Sequence, residues 1–194
     1  MIYFSVLEDF LSAHHQIVWI SCFIVVLVAL FVKRSTCKVL WFLYIAFILY
    51  MTLFTRETNL HRKSNLELFW SYRRFFDSNF YRREVTNNIL LFIPFGVMIL
   101  RLLSRPKPEQ KFGIKETASV SYQVILSIGA GFALSCGVEL IQYVFKLGLC
   151  EFDDVFGNTL GTLIGVLIVL IVKRLTGTKN SEEFYGGKLS NDNG

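Results

Sequence analysis

The chain has 194 residues, 53% of them hydrophobic, and a formal net charge of +5, with a mean hydropathy of +0.48. That is too apolar for an ordinary soluble domain of this length, and the apolar residues come in blocks. The basic excess reads as cytoplasmic loops and lipid headgroups rather than nucleic acid, and Cys22, Cys37, Cys136 and Cys150 show neither zinc-type spacing nor a disulfide framework.

In chain order, residues 1–15 carry Glu8 and Asp9 but no Lys or Arg. The first basic residue is Lys33, after the first apolar run, which argues against a cleavable signal peptide. No lipidation signal is visible at residue 2 or in the terminal Asp-Asn-Gly. Hydropathy predicts an all-α, polytopic membrane bundle, a single domain over 1–172. It has about five transmembrane helices, at 16–32, 39–55, 87–103, 123–145 and 155–172. The first two form a hairpin across the basic turn Lys33, Arg34 and Lys38.

Residues 56–86 form the longest connection. They mix Arg56, Arg62, Lys63, Arg73, Arg74, Arg82 and Arg83 with Phe69, Trp70, Tyr72, Phe75, Phe76, Phe80 and Tyr81. Ser64-Asn65-Leu66-Glu67 is a capping-box pattern. It predicts a short interfacial helix, with an irregular headgroup-level loop as the alternative. Pro94 interrupts the third span and frees a carbonyl near Leu90, so that helix should face the bundle rather than lipid. From Lys173 onward, 173–194 reads as a cytoplasmic, disordered tail, polar and glycine-rich beyond Thr176.

Orientation follows from alternation. With the N-terminus outside, the cytoplasmic segments hold twelve Lys/Arg: three at 33–38, five at 101–120 and four in the tail. The outside then holds eight, seven of them in the 55–86 loop. The positive-inside rule favours this topology, with the basic loop as its one conflict.

The chemistry concentrates where the fourth and fifth spans meet. Gly131, Ser135, Glu139 and Gln142 are spaced four, four and three apart and share a helical face. Gly129, Ala133 and Gly137 line another face, and Gly157, Gly161 and Gly165 repeat the spacing on the fifth span. Small residues so spaced are helix-packing candidates in lipid and predict that these two spans pack together. Asp153 and Asp154 open the fifth span, where a carboxylate suits the helix dipole. Capping accounts for one aspartate but not for the pair together with Glu151, Glu139 and Gln142. A carboxylate at the depth of Glu139 costs on the order of 2–3 kcal/mol or more unless it is paired, protonated or wetted. A structural hydrogen bond to Asn88 or Asn158 is the simple account, and a role as acid, base or ligand in an outward cavity is the functional one. The candidate binding set is Asn88, Glu139, Gln142, Asp153, Asp154 and Asn158, roofed by loop arginines such as Arg73 and Arg74. Acids and amides suit a divalent cation, a sugar or a peptide headgroup, and arginines suit phosphate or carboxylate. No activated nucleophile is evident: His14, His15 and His61 lie outside the cluster, and Cys150 has no neighbouring base.

Three blocks resemble VanZ-like membrane proteins. Asn88-Ile-Leu-Leu-Phe-Ile-Pro94-Phe-Gly96 is similar to their N-x-x-x-F-x-P-x-G segment, and Glu139-Leu-Ile-Gln142 to their E-x-x-Q. Asp153-Asp154 followed by Asn158-Thr159-Leu160-Gly161 resembles their aspartate pair and N-T-x-G block. Asn65-Leu66 is similar to their N-L-x-P-F, with Leu68 where proline is usual. The resemblance implies a multi-pass membrane protein of mostly Gram-positive bacteria, associated with low-level resistance to the glycopeptide teicoplanin.

Three readings follow. In the first, an outward polar pocket binds or alters a lipid-linked envelope component, with membrane lipids or the lipid-linked precursor as partner and no nucleic acid. In the second, the protein is a membrane enzyme with Glu139 and Asp154 as catalytic candidates and Asp153 and Asp154 as metal candidates. In the third, it is a structural assembly partner. The sequence names no cofactor.

Overall fold

In the computed structural model, residues 19–54, 58, 60–104 and 116–176 are described, with side chains in the last stretch from 120 onward. The start of the first span, Arg56, the 105–115 loop and the tail beyond Thr176 lie outside the described residues.

The architecture is all-α. Helix α1 covers Trp19–Phe31 and turns at Val32 and Lys33 into α2, Arg34–Leu49. Helix α2 ends in a π-helical turn, Tyr50–Phe54. A two-residue strand β1 (Ser64–Asn65) and a single-turn helix α3 (Trp70–Arg73) lead into α4, Asn79–Leu103. Helix α5, Glu116–Phe145, then connects through strand β2 (Cys150–Glu151) to α6, Phe152–Leu175. Four helices are long and apolar enough to cross a membrane: Arg34–Phe54, Asn79–Leu103, Val120–Phe145 and Phe152–Leu175, with the shorter α1 beside them.

Helix α4 is the central rod. Pro94 lies inside it and is buried, as are Leu91, Phe92, Phe95, Val97, Met98 and Leu100. The turn loosened by Pro94 receives outside help: the Tyr44 hydroxyl of α2 donates to the Leu91 carbonyl at 2.8 Å. The bond falls on the residue after Leu90, whose carbonyl lost its own donor, so it holds the interrupted turn against α2 rather than replacing the missing bond.

Helix α6 packs most closely on α4, through its glycine stripe. A Cβ at Gly161 would overlap the Ile89 carbonyl oxygen, one at Gly165 the Ile93 carbonyl, and one at Gly96 the Thr162 carbonyl. The expected pairing of the last two long helices also forms, but through other residues: the Thr162 side chain fills the space above Gly131, and Asn158 bonds Ser135. The stripe on α5 behaves differently from the packing expectation. Nothing lies within 4 Å of a Cβ at Gly129 or Gly137, and Ala133 is exposed. The small residues there leave an open face rather than a seam.

Two other local expectations change. Helix α4 begins at Asn79, capped by the Ser78 hydroxyl, rather than at 87, because hydropathy detects only the lipid-length part of a helix whose first turns are polar. The capping-box pattern at Ser64 starts no helix. Ser64 and Asn65 pair in parallel with Cys150 and Glu151, and the Asn65 side chain accepts from the Glu67 amide at 3.1 Å. An Asx turn and a partner strand satisfy the backbone that a helix would have used.

At the far end of the bundle, cations close helix C-termini. Arg34 donates to the Ser104 and Leu102 carbonyls, Arg101 to the Val32 carbonyl at 2.9 Å, and Lys173 to the Ser104 hydroxyl at 3.1 Å. Positive side chains complement the partial negative charge of these carbonyls.

Candidate functional site

Chain alternation brings the ends of α2, α4, α5 and α6 and the 60–78 loop to one end of the bundle. The acids and amides singled out in the sequence meet there. Glu139 is 5% exposed, Gln142 1%, Asp153 and Asp154 4% each and Asn158 2%. Asn88 is half-buried beside them.

Each has a structural partner. Glu139, on the inward face of α5, accepts the Glu151 amide at 2.9 Å on Oε2 and so ties α5 to the start of α6. Gln142, nearly one turn on, donates to the Thr52 carbonyl at 2.8 Å. Thr52 lies in the π-helical turn of α2, where the shifted ladder leaves carbonyls in need of donors. Asn158 donates to the Ser135 hydroxyl at 2.7 Å, and Asn88 donates to Asp154 Oδ1 at 2.6 Å.

Asp153 makes the longest-range connection. Its Oδ1 accepts the Phe69 amide at 2.6 Å and its Oδ2 the Ser71 amide at 2.7 Å. The carboxylate therefore caps a helix, but α3 rather than its own. Phe69 enters that turn with a left-handed φ of 65°, a conformation costly for an aromatic residue and held here by the charged cap. Strand pairing of Ser64–Asn65 with Cys150–Glu151 and a Lys146–Leu60 hydrogen bond of 3.2 Å hold the rest of the loop against the α5–α6 connection.

The predicted metal pair divides. Asp153 is committed to backbone amides, whereas Asp154 meets Glu151 and Glu84, the three offering carboxylate oxygens within 4.8 Å of one another. That triple is the set that could hold a divalent cation among the described residues. Glu84 is a residue that sequence reading missed. It sits one turn before Asn88, and that signal becomes legible once α4 is known to start at Asn79. The Tyr72 hydroxyl lies over Gly157 and has no hydrogen-bond partner among the described residues. Burial, then the charges of Asp153 and Asp154, push this phenol up to about 12, so it stays a neutral donor. Buried Asn158 Oδ1 and Gln142 Oε1 likewise have no partner among the described residues. Cys150 is pushed up to about 11 by burial and by the carboxylates of Glu139, Asp154 and Glu151, which keeps it an unreactive thiol.

The expected roof of arginines is not over these groups. Arg73 pairs with Glu67 at the surface. Arg74 lies 4.2 Å from the centre of the Trp70 ring and bonds the Tyr81 hydroxyl at 3.2 Å. The expected open pocket at the acids is also not what the side chains form: they are closed over one another and over backbone. A hollow of about 370 Å³ lies elsewhere at the same end, lined by Trp19, Phe75, Asn79, Arg82, Arg83 and Thr86.

Residues 41–173 match the VanZ/LLP1 family, a stretch that takes in α4, α5, all but the last two residues of α6 and the whole acid–amide cluster. The chain is 26% identical over 131 residues to protein VanZ of Enterococcus faecium, covering 64% of this chain and 67% of that protein. No solved structure matches. With more than half of its length inside the family match and four helices able to span a bilayer, this chain belongs to the VanZ/LLP1 family and is a multi-pass membrane protein.

Proposed function

We propose that this protein acts in the bacterial envelope, where its loop end faces outward, engages a lipid-linked headgroup and lowers the action of a lipoglycopeptide such as teicoplanin. The N-terminus and the loop end are then extracytoplasmic and the basic end cytoplasmic, in keeping with the positive-inside count. The observation that carries the reading is the concentration of Glu139, Gln142, Glu151, Asp153, Asp154 and Asn158, all 5% exposed or less, at one end of a membrane bundle. Buried ionisable groups in such a setting are costly and mark functional regions. Glu139, Asp154 and Asn158 form the core, with Asn88, Gln142 and Asp153 in support. The buried, unpartnered acceptors of Asn158 and Gln142 are suited to hydroxyl donors.

The test is teicoplanin susceptibility of a host that the parent protein protects, with Glu139→Gln and Asp154→Asn expressed at equal level. Loss of protection in both is expected, and protection unchanged in both removes the reading. A second reading, a metal-dependent membrane enzyme, is favoured by the convergence of Glu84, Glu151 and Asp154. Under that reading any activity on a headgroup is lost on chelation and restored by a divalent cation.

A further inference from the structure

Two arginines that the cluster does not use, Arg82 and Arg83, line the 370 Å³ hollow at the loop end. Asn79, Arg82, Arg83 and Thr86 are spaced three, one and three apart on the first two turns of α4 and contribute to one wall. Trp19 of α1 and Phe75 of the loop supply the aromatic part of its lining. Among the described residues the Arg82 guanidinium donates to the Asn79 side chain, a neutral partner, and the Thr86 hydroxyl donates to the Arg82 carbonyl at 2.6 Å. Neither guanidinium is in an ion pair within the described residues: the adjacent acid, Glu84, turns the other way, toward Glu151 and Asp154. Two adjacent cations in one groove without a carboxylate between them repel each other and favour an anion.

The depth of the groove says what kind of anion. Helix α4 has 25 residues, about 37 Å at the α-helical rise. A bilayer's hydrocarbon core is about 30 Å thick, so the first turns of α4 project to the headgroup layer. Exposed Phe76, Phe80 and Trp19 beside them match the aromatic belt found at that level.

We infer that the groove lined by Trp19, Phe75, Asn79, Arg82, Arg83 and Thr86 binds the phosphate of a membrane lipid headgroup. The two guanidiniums grip the phosphate oxygens, Asn79 and Thr86 meet headgroup hydroxyls, and the Trp19 and Phe75 rings lie against the first methylenes. The site deepens the envelope reading by naming the chemistry recognised, and rests on that reading only for the identity of the lipid. It is separate from the acid–amide cluster.

The test uses the full chain purified in mild detergent and titrated with phosphatidylglycerol or with diacylglycerol, which has the same acyl chains but no phosphate, counting retained lipids by native mass spectrometry. The parent is expected to retain phosphatidylglycerol in preference. Arg82→Gln with Arg83→Gln should lower that retention about tenfold or more, the loss expected for charge-assisted hydrogen bonds. Arg62→Gln with Arg73→Gln, the same charge change at the same end, should leave it unaltered. Retention of both lipids equally by the parent, or unchanged phosphatidylglycerol retention in Arg82→Gln/Arg83→Gln, overturns the proposal. If that variant is poorly folded by circular dichroism, Thr86→Val and Asn79→Ala provide the second reading, and unchanged retention in both also overturns it. Displacement of phosphatidylglycerol by an equimolar polyprenyl monophosphate supports the phosphate site and points to a lipid-linked precursor. Because the readout is lipid retention, its failure leaves the susceptibility of Glu139→Gln and Asp154→Asn to decide the envelope reading.

Discussion

Substitution of Gly161 by alanine adds one methyl group at the point where α4 and α6 are closest. That methyl would overlap the Ile89 carbonyl oxygen and lie 2.9 Å from its carbon and 3.1 Å from the Phe92 Cβ. The obstacle is backbone, so no rotamer change can relieve it, and the helices must separate by about 1 Å. A gap of that size forfeits roughly a quarter to a half of each dispersion contact along the seam. Gly165 and Gly96, which make the same kind of approach along that seam, lose their fit with it. Overpacking of this kind costs about 1–3 kcal/mol, and the upper end is expected here because the seam is rigid on both sides. The matched control is Gly137→Ala, where a Cβ meets nothing within 4 Å. There the gain in helix propensity, up to about 1 kcal/mol, acts alone. Reversible unfolding in mixed micelles, followed by circular dichroism, measures both variants. Equal midpoints for the two would refute the assignment of the glycine stripe to the α4–α6 seam.

Asp153→Asn keeps one acceptor for the Phe69 and Ser71 amides but loses the charge and turns an NH₂ toward a donor. A loss of about 2–3 kcal/mol in the anchoring of the 66–75 segment is expected, visible as faster limited proteolysis there. A cleavage rate equal to the parent's would remove the trans-capping role. For Cys150, a thiol pushed up to about 11 holds about a hundredfold less thiolate at neutral pH than an ordinary one. Its alkylation should rise about tenfold per pH unit until that pKa is passed. Glu139→Gln, by removing a negative charge next to it, should speed labelling at pH 8. Labelling at neutral pH as fast as in the unfolded chain would contradict the half-buried, acid-flanked setting.

Much of this protein is legible in its sequence for one reason: the bilayer. Long apolar runs at Arg34–Phe54, Val120–Phe145 and Phe152–Leu175 can only be helices, since lipid offers no partner for backbone groups. Pro94 and the polar face Gly131, Ser135, Glu139 and Gln142 point inward because exposure to lipid would be costly, and all five are buried. These conclusions depend on local spacing and on transfer free energy, both of which a linear sequence carries.

Which residue meets which depends instead on how the helices are set side by side. The stripes on α5 and α6 have the same spacing, yet one lies against the α4 backbone and the other is open. Asp153 and Asp154 are adjacent, yet successive helical residues point about 100° apart. One therefore holds a loop turn more than eighty residues away, and the other joins Glu84 and Glu151. The arginines divide in the same way, Arg73 and Arg74 engaged at the surface and Arg82 and Arg83 lining a groove with Trp19. Spacing decides which side chains share a face, but only the packing of α4 against its neighbours decides what that face meets.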